Sequence, residues 1–382
     1  MLFFSEAEYQ KRLHGVQQAL KAKDVPVLLS FGPENICYMT GHQTPGYYMY
    51  QVAIIPAEGQ PVLLVRQGEI GNARAYSWLD RGNLVFYDDT DEPVTKTLDL
   101  LRKMGFGAGR VGMEMDGWFL SPLRFLEIQR EFGSRLVDCS KTVETLRGIK
   151  SPQEIAYIRQ ACHAVDVSME SAFDILEPGI SENDLARVIF DELINNGSEY
   201  LGIDPFVASG PRAAIMHSPW SGRVIEKGDV VLLETAGCIH RYHGALMRTM
   251  YVGAPDPRAF EWADICNRAL DTAIATICPG VTSAEVDQAC RGVIEKTGLY
   301  EFFRKRTGYS IGQAFAPDWG EGHFLALKKD DPTVLQAGMV FHMPPALREY
   351  GSLGVGFSET VLVTESGCEP LGKYPRKFVG KP

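Results

Sequence analysis

The chain has 382 residues, 45% hydrophobic and 23% charged, the profile of a folded globular protein too long for one ordinary core. A formal net charge of −10 gives its surface nothing to draw it onto phosphates, so nucleic acid and anionic membranes are excluded as partners. No apolar run approaches the ~18 residues of a membrane span. The start, Met1-Leu2-Phe3-Phe4, meets Glu6 and Glu8 with no basic stretch before them, so no signal peptide is expected. Eight scattered cysteines without a CxxC pair read as free thiols of a reducing cytoplasm.

Along the first ~150 residues, helix and strand signals alternate. Ser5 and Glu8 suggest a capping box, after which Tyr9, Leu13, Val16 and Leu20 recur at helical spacing. Short apolar strands are expected over 27–31, 52–55 and 62–65, the last two split by a Glu58-Gly59 turn. Two more are expected over 84–87 and 110–113, with a helix over 95–104 between them. This is an α/β domain of about half a dozen strands, without a GxGxxG or P-loop. A boundary falls near Gly148-Ile149-Lys150, where Ser151 and Glu154 cap a long helix running to about Leu176.

Beyond the boundary the chain repeats itself. Pro178-Gly179-Ile180-Ser181 opens a helical stretch ending at Asn196-Gly197, and Pro279-Gly280-Val281-Thr282 opens another ending at Thr297-Gly298, 101 residues later. Each copy follows a long helix and precedes strand-like sequence. Two copies at that period imply an internally duplicated α+β domain rather than a solenoid, which needs at least three.

Val207-Ala208-Ser209-Gly210, His217 after it, and Lys227-Gly228-Asp229-Val230-Val231-Leu232-Leu233-Glu234 resemble the creatinase/peptidase M24 family in order and spacing. Arg248-Thr249 before Val252-Gly253, Gly338-Met339-Val340-Phe341 and Thr360-Val361-Leu362-Val363-Thr364 extend the resemblance, and Ile149-Lys150-Ser151-Pro152 stands at the junction. The resemblance covers essentially the whole chain. It implies a creatinase-type α/β N-terminal domain over 1–148 and an α+β pita-bread C-terminal domain with internal pseudo-twofold duplication over 149–382. A homodimer is also implied.

Metal-dependent members of that family hold two divalent ions with two Asp, one His and two Glu. The resemblance places those ligands at Glu234, Ala245, Tyr309, Pro344 and Ser358. Only one of the five is a carboxylate, and alanine, proline and serine cannot replace carboxylate or imidazole ligands. Neither a metal nor another cofactor is expected. The stretch Glu234-Thr235-Ala236-Gly237-Cys238 with Arg241-Tyr242-His243 is similar to the ectoine-hydrolase branch of the family. Thr307-Gly308-Tyr309, Pro317-Asp318-Trp319-Gly320-Glu321 and Met113-Glu114-Met115-Asp116 share that similarity.

That branch implies metal-independent hydrolysis of a C–N bond in a small zwitterionic amidine, with ectoine opened to N-acetyl-2,4-diaminobutyrate. Creatinase-like guanidinium hydrolysis and a non-catalytic ligand-binding protein remain alternatives. The resemblance gives His217 the general acid/base role, one that histidine commonly takes in catalysis. Glu234 and Glu359 are expected to grip the amidinium by charge-assisted hydrogen bonds, or Glu234 to attack as a nucleophile. Tyr242, His243, Tyr309, Asp318, Trp319 and His342 are the expected substrate contacts. The alternative for each is a satisfied hydrogen bond in the core. Tyr47 and Tyr48 are N-terminal candidates without a place in the site.

Overall fold

The computed structural model describes residues 2–382 and divides into two compact units between Arg147 and Gly148. The first unit runs α1 (Glu6–Ala22), β1 (Val27–Ser30), α2 (Pro33–Thr40), β2 (Val52–Pro56), β3 (Val62–Arg66), α3 (Ile70–Tyr76) and β4 (Leu84–Tyr87). It continues through α4 (Pro93–Lys103), β5 (Val111–Met113), α5 (Pro122–Phe132), β6 (Leu136–Asp138) and α6 (Thr142–Arg147). Its sheet has the order β4-β3-β2-β1-β5-β6, antiparallel at β1–β2 and β2–β3 and parallel elsewhere. Residues alternate across the sheet: Leu28, Ala53 and Leu63 enter one core with Leu13 and Val16 of α1, while Val27, Leu29, Ile54 and Leu64 enter another with Leu101 and Ile128. At α1, Ser5 accepts the N–H of Glu8, which is one arm of the expected box.

The second unit opens with α7 (Pro152–Ile175), α8 (Glu182–Asn195), β7 (Phe206–Ser209), β8 (Val230–Ile239) and β9 (Tyr242–Val252). A second series follows as α9 (Arg258–Thr276), α10 (Ser283–Glu295), β10 (Gly308–Ser310), β11 (Ala326–Leu327) and β12 (Val340–Met343). The chain closes with β13 (Ala346–Glu349), β14 (Leu353–Gly356), β15 (Glu359–Thr364), β16 (Gly367–Pro370) and β17 (Gly380–Lys381). The duplication is structural. Ser181 and Asp184 form a capping box on α8, and Thr282 and Glu285 form its counterpart on α10. Each N-cap residue also makes an isolated bridge, Ser181 to Val224 and Thr282 to Val334. The glycines that end the two Pro-Gly turns, Gly179 and Gly280, have φ of 98° and 95°, values that glycine adopts without penalty.

Two sheets frame the site, β17-β9-β8-β7 and β11-β10-β12-β15-β16. Strands β8 and β9 pair along their full length from Val230↔Tyr251 to Ile239↔Tyr242. Gly237 faces Gly244 in that ladder, and helix α7 crosses there. A Cβ on Gly237 would meet the Ala161 carbonyl oxygen at 2.4 Å, and one on Gly244 the Cys162 Sγ at 2.5 Å. The glycine pair thus lets the helix seat on the hairpin. All eight cysteines are free, and no helix among the described residues is long and apolar enough to cross a membrane.

Candidate active site

Strand β8 is buried along all ten residues, yet it carries Glu234 at 7% exposure. A carboxylate in that setting is costly unless charges or donors face it. Three groups do: the Lys305 ammonium, the Arg348 guanidinium and the Tyr309 phenol all lie within electrostatic reach of Glu234. Arg348, buried on β13, donates from Nη1 to the carbonyls of Ala213 (2.9 Å) and Ile215 (3.3 Å). It therefore holds the segment leading to His217. Lys305 lies between the buried residues Phe303 and Thr307, and burial lowers its pKa to about 8.

Beside Glu234 runs a chain of neutral hydrogen bonds. Trp319 Nε1–H donates to Tyr309 Oη (2.8 Å), and Tyr309 Oη lies 2.9 Å from His342 Nδ1. His342 Nε2 lies 2.7 Å from Ser358 Oγ, which also accepts the N–H of Met247 (2.6 Å). The pairing of β10 with β12 places Tyr309 opposite His342. Burial pushes the His342 pKa down to about 3 and holds the Tyr309 phenol well above its usual range, so both are neutral near pH 7. A neutral imidazole has one donor and one acceptor nitrogen. The chain can therefore run from Tyr309 to Ser358, or from Ser358 to Tyr309 with the phenolic proton free for a ligand.

Aromatic contacts connect this chain to His217. Phe206, which pairs with Glu234 across β7 and β8, lies 5.4 Å from the Trp319 ring and 5.2 Å from the His217 ring. His217 is exposed and has φ of 55°, a left-handed conformation that is uncommon outside glycine. Asp318 is half-buried and accepts the Gly320 N–H at 3.0 Å; burial raises its pKa. Arg306 lies 5.0 Å over the Tyr309 ring and donates to the Gly322 carbonyl at 2.7 Å.

Three expected site residues do not join this group. Glu359 pairs with Arg248 Nη2 at 3.0 Å and Arg376 Nε at 3.1 Å. It follows the vacated ligand position at Ser358, and adjacent strand residues face opposite sides. The expected pair of facing carboxylates is not formed. Tyr242 donates to Glu154 Oε1 on α7 (2.7 Å). His243, fully buried, accepts the Gly202 N–H at Nε2 (3.1 Å), with Nδ1 3.1 Å from the Arg241 carbonyl. Burial keeps it neutral. These two side chains fasten the β8–β9 hairpin to its surroundings.

Sequence reasoning missed Lys305, Arg348 and Arg306. Arg304-Lys305-Arg306 reads as a solvated basic run, and Arg348-Glu349 as a surface pair. The available signal for Arg348 was its place in the short apolar stretch Ala346-Leu347, close to the lost metal position Pro344.

The Creatinase/Prolidase N-terminal domain model matches residues 12–149, and the model of metallopeptidase family M24 matches residues 156–365. The chain belongs to family M24. Among its M24 relatives is an ectoine hydrolase of Halomonas elongata, 30% identical over 99% of this chain and 98% of the relative. An uncharacterized hydrolase/peptidase of Sinorhizobium fredii is also 30% identical, over 100% and 99% of the two chains. The solved prolidase of Thermococcus sibiricus shares the fold, with a TM-score of 0.86 at 25% identity over 97% of this chain and 99% of that one. The protein is thus an M24-family hydrolase with the pita-bread fold.

The five M24 metal positions can be tested against this geometry. Ala245 and Pro344 offer no side-chain donor. The Tyr309 hydroxyl is engaged by Trp319 and His342, and Ser358 Oγ by Met247 and His342. Glu234 alone keeps a carboxylate, and one carboxylate cannot supply the ligands that two divalent ions need. Among the described residues no three His, Cys, Asp or Glu side chains gather as a metal site. This donor set does not fit a pair of divalent ions.

Proposed function

We propose that this M24 hydrolase works without a metal and opens a C–N bond of a small zwitterionic amidine, the class to which ectoine belongs. The observation that carries the reading is the exchange at the five ligand positions. One carboxylate, Glu234, remains, flanked by a neutral Tyr309–His342–Ser358 chain and by the cations Lys305 and Arg348. The 30% identity to an ectoine hydrolase over nearly both full chains supports the same reading.

A metal in such a fold would polarise the scissile group and lower the pKa of the attacking water. An amidinium needs less of that service, because its central carbon already carries delocalised positive charge. Glu234 receives an amidinium N–H by a charge-assisted hydrogen bond. His217 takes a proton from water as the oxygen bonds to the amidinium carbon. The same proton then goes to the ring nitrogen as the C–N bond breaks, and the hydroxyl proton left on the new oxygen follows it to the departing amine by way of His217, leaving an amide and an ammonium group. Tyr309 Oη, backed by His342, donates to the oxygen that bonds to carbon. Trp319 and Phe206 form the apolar wall of the pocket.

The test is an assay of the purified protein with ectoine, creatine and an Xaa-Pro dipeptide, with product masses determined. Addition of one water to ectoine supports the reading. Cleavage of the dipeptide alone refutes it.

A further inference from the structure

The cations around Glu234 outnumber the carboxylate they face. The half-buried Lys305 feels the Glu234 carboxylate, and among the described residues no hydrogen bond or ion pair ties its ammonium down. The buried Arg348 satisfies its two carbonyl partners through Nη1, while its Nε–H has no hydrogen-bond partner. His342 and Tyr309 are neutral, so the groups that interact directly with Glu234 bring two positive charges to its one negative charge. Glu359 does not redress this, because its charge is paired with Arg248 and Arg376, both through Oε1, while its Oε2 has no hydrogen-bond partner. A buried donor without a partner is unfavourable, and so is a half-buried cation without a counter-charge of its own. A ligand that brings an anionic oxygen would supply both missing partners.

We propose that Lys305 and Arg348 form a carboxylate receptor that selects substrates carrying an acid group beside the reacting cation. The inference rests on the assignment of Glu234 to the cationic end. Lys305 anchors the carboxylate as a point charge on a flexible stem, and the fixed Arg348 Nε–H supplies a second, directional donor. Glu234 and Lys305 belong to different elements, β8 and the segment entering β10, so the two ends of a zwitterion are read by separate parts of the fold. Arg348 also holds the carbonyls of Ala213 and Ile215, two residues or fewer from Met216-His217. Docking of the carboxylate on Arg348 would therefore set the substrate in register with His217. Lys305 and Arg348 act here as specificity-determining residues.

The experiment measures calorimetric dissociation constants for two probe pairs. One pair is ectoine and its decarboxylated ring analogue; the other is an N-acetyl amino acid and the matching N-alkyl acetamide. Each is titrated into the wild type, Lys305→Met and Lys305→Arg. The wild type should favour the acid of a pair by roughly 10- to 100-fold, the range of a hydrogen bond to a charged group. Lys305→Met should lose that preference, and Lys305→Arg, which keeps the charge and guards against a folding defect, should retain most of it. A preference in Lys305→Met within about twofold of wild type overturns the proposal. So does binding of the ring pair without preference for the acid, although the amidine reading would then survive. If only the acetyl pair binds, with a preference that depends on Lys305, the receptor stands and the amidine reading falls. Binding of neither pair by the wild type overturns both.

Discussion

Replacing Glu359 by glutamine removes one negative charge from a buried network while keeping the side chain's shape. Glu359 Oε1 accepts from Arg248 Nη2 at 3.0 Å and is ion-paired with Arg376 Nε at 3.1 Å, with the Arg248 and Glu359 side chains 1% and 6% exposed. Arg248 also donates to the carbonyls of Met247, Ser358, Tyr374 and Pro375. The network thus ties the C-terminal segment to strands β9 and β15. Breaking a buried pair by removing one partner costs about 3–5 kcal/mol. Arg248 keeps its four carbonyls and Arg376 is partly exposed, which puts this case near the lower end, at about 2–4 kcal/mol. For a unit of this size each kcal/mol lowers Tm by about 2–4 °C, so the melting transition of the second unit should fall by roughly 5–15 °C. Scanning calorimetry reads that shift, and turnover per folded molecule at 20–25 °C should stay within about threefold of wild type. An unchanged transition together with a loss of turnover of about 100-fold would refute the argument and return Glu359 to the substrate.

At the site itself, Glu234→Gln and His217→Ala should each reduce kcat by about 10²–10⁴ with thermal stability near wild type; a near-wild-type rate in either variant removes that residue's assigned role. Tyr309→Phe should lower kcat more than it raises KM, because its hydroxyl is assigned to the oxygen forming in the reaction; an effect on KM alone would make it a binding group. The Lys305 pKa of about 8 reflects burial first, which lowers it, then Glu234 raising it and Arg348 lowering it. Its charge is full below that value and is lost as pH rises through it. Affinity for a carboxylate ligand should therefore decline above about pH 8 in the wild type and stay level in Lys305→Arg; identical profiles would exclude the Lys305 ammonium as the anchor.

Much of the fold was legible because it is encoded locally. The N-cap of α7, where Ser151 and Glu154 form the expected capping box, and the paired Pro-Gly turns lie in short, ordered stretches of sequence. Five of the six strands of the first sheet stand out as apolar runs. Strand β6, with only three residues and no buried one, has no periodicity to detect. At the candidate site, Glu234 and Tyr309 stand at two of the five ligand positions and His342 two residues from a third, whereas Trp319 was singled out only by the resemblance around Pro317-Asp318-Trp319-Gly320-Glu321. Glu359 was chosen for its adjacency to Ser358, but in the structure it pairs with Arg248 and Arg376, a long-range contact that sequence adjacency does not show. Parity separates Tyr242 from Ala245 on β9, and Tyr242 indeed turns to Glu154. Lys305 and Arg348 were hidden because what makes them part of the site is long-range: segments distant in sequence bring them to Glu234, and their neighbouring residues advertise a solvated surface.

Hydrolysis in the presence of a chelator tests the central claim most directly. The protein is dialysed against EDTA, its zinc, manganese and cobalt content is measured, and ectoine turnover is followed by product mass. The account predicts well under one metal equivalent per chain, a rate equal to that of the undialysed protein, and no stimulation when divalent ions are restored. Activity that disappears with the chelator and returns with one or two equivalents of metal would contradict it.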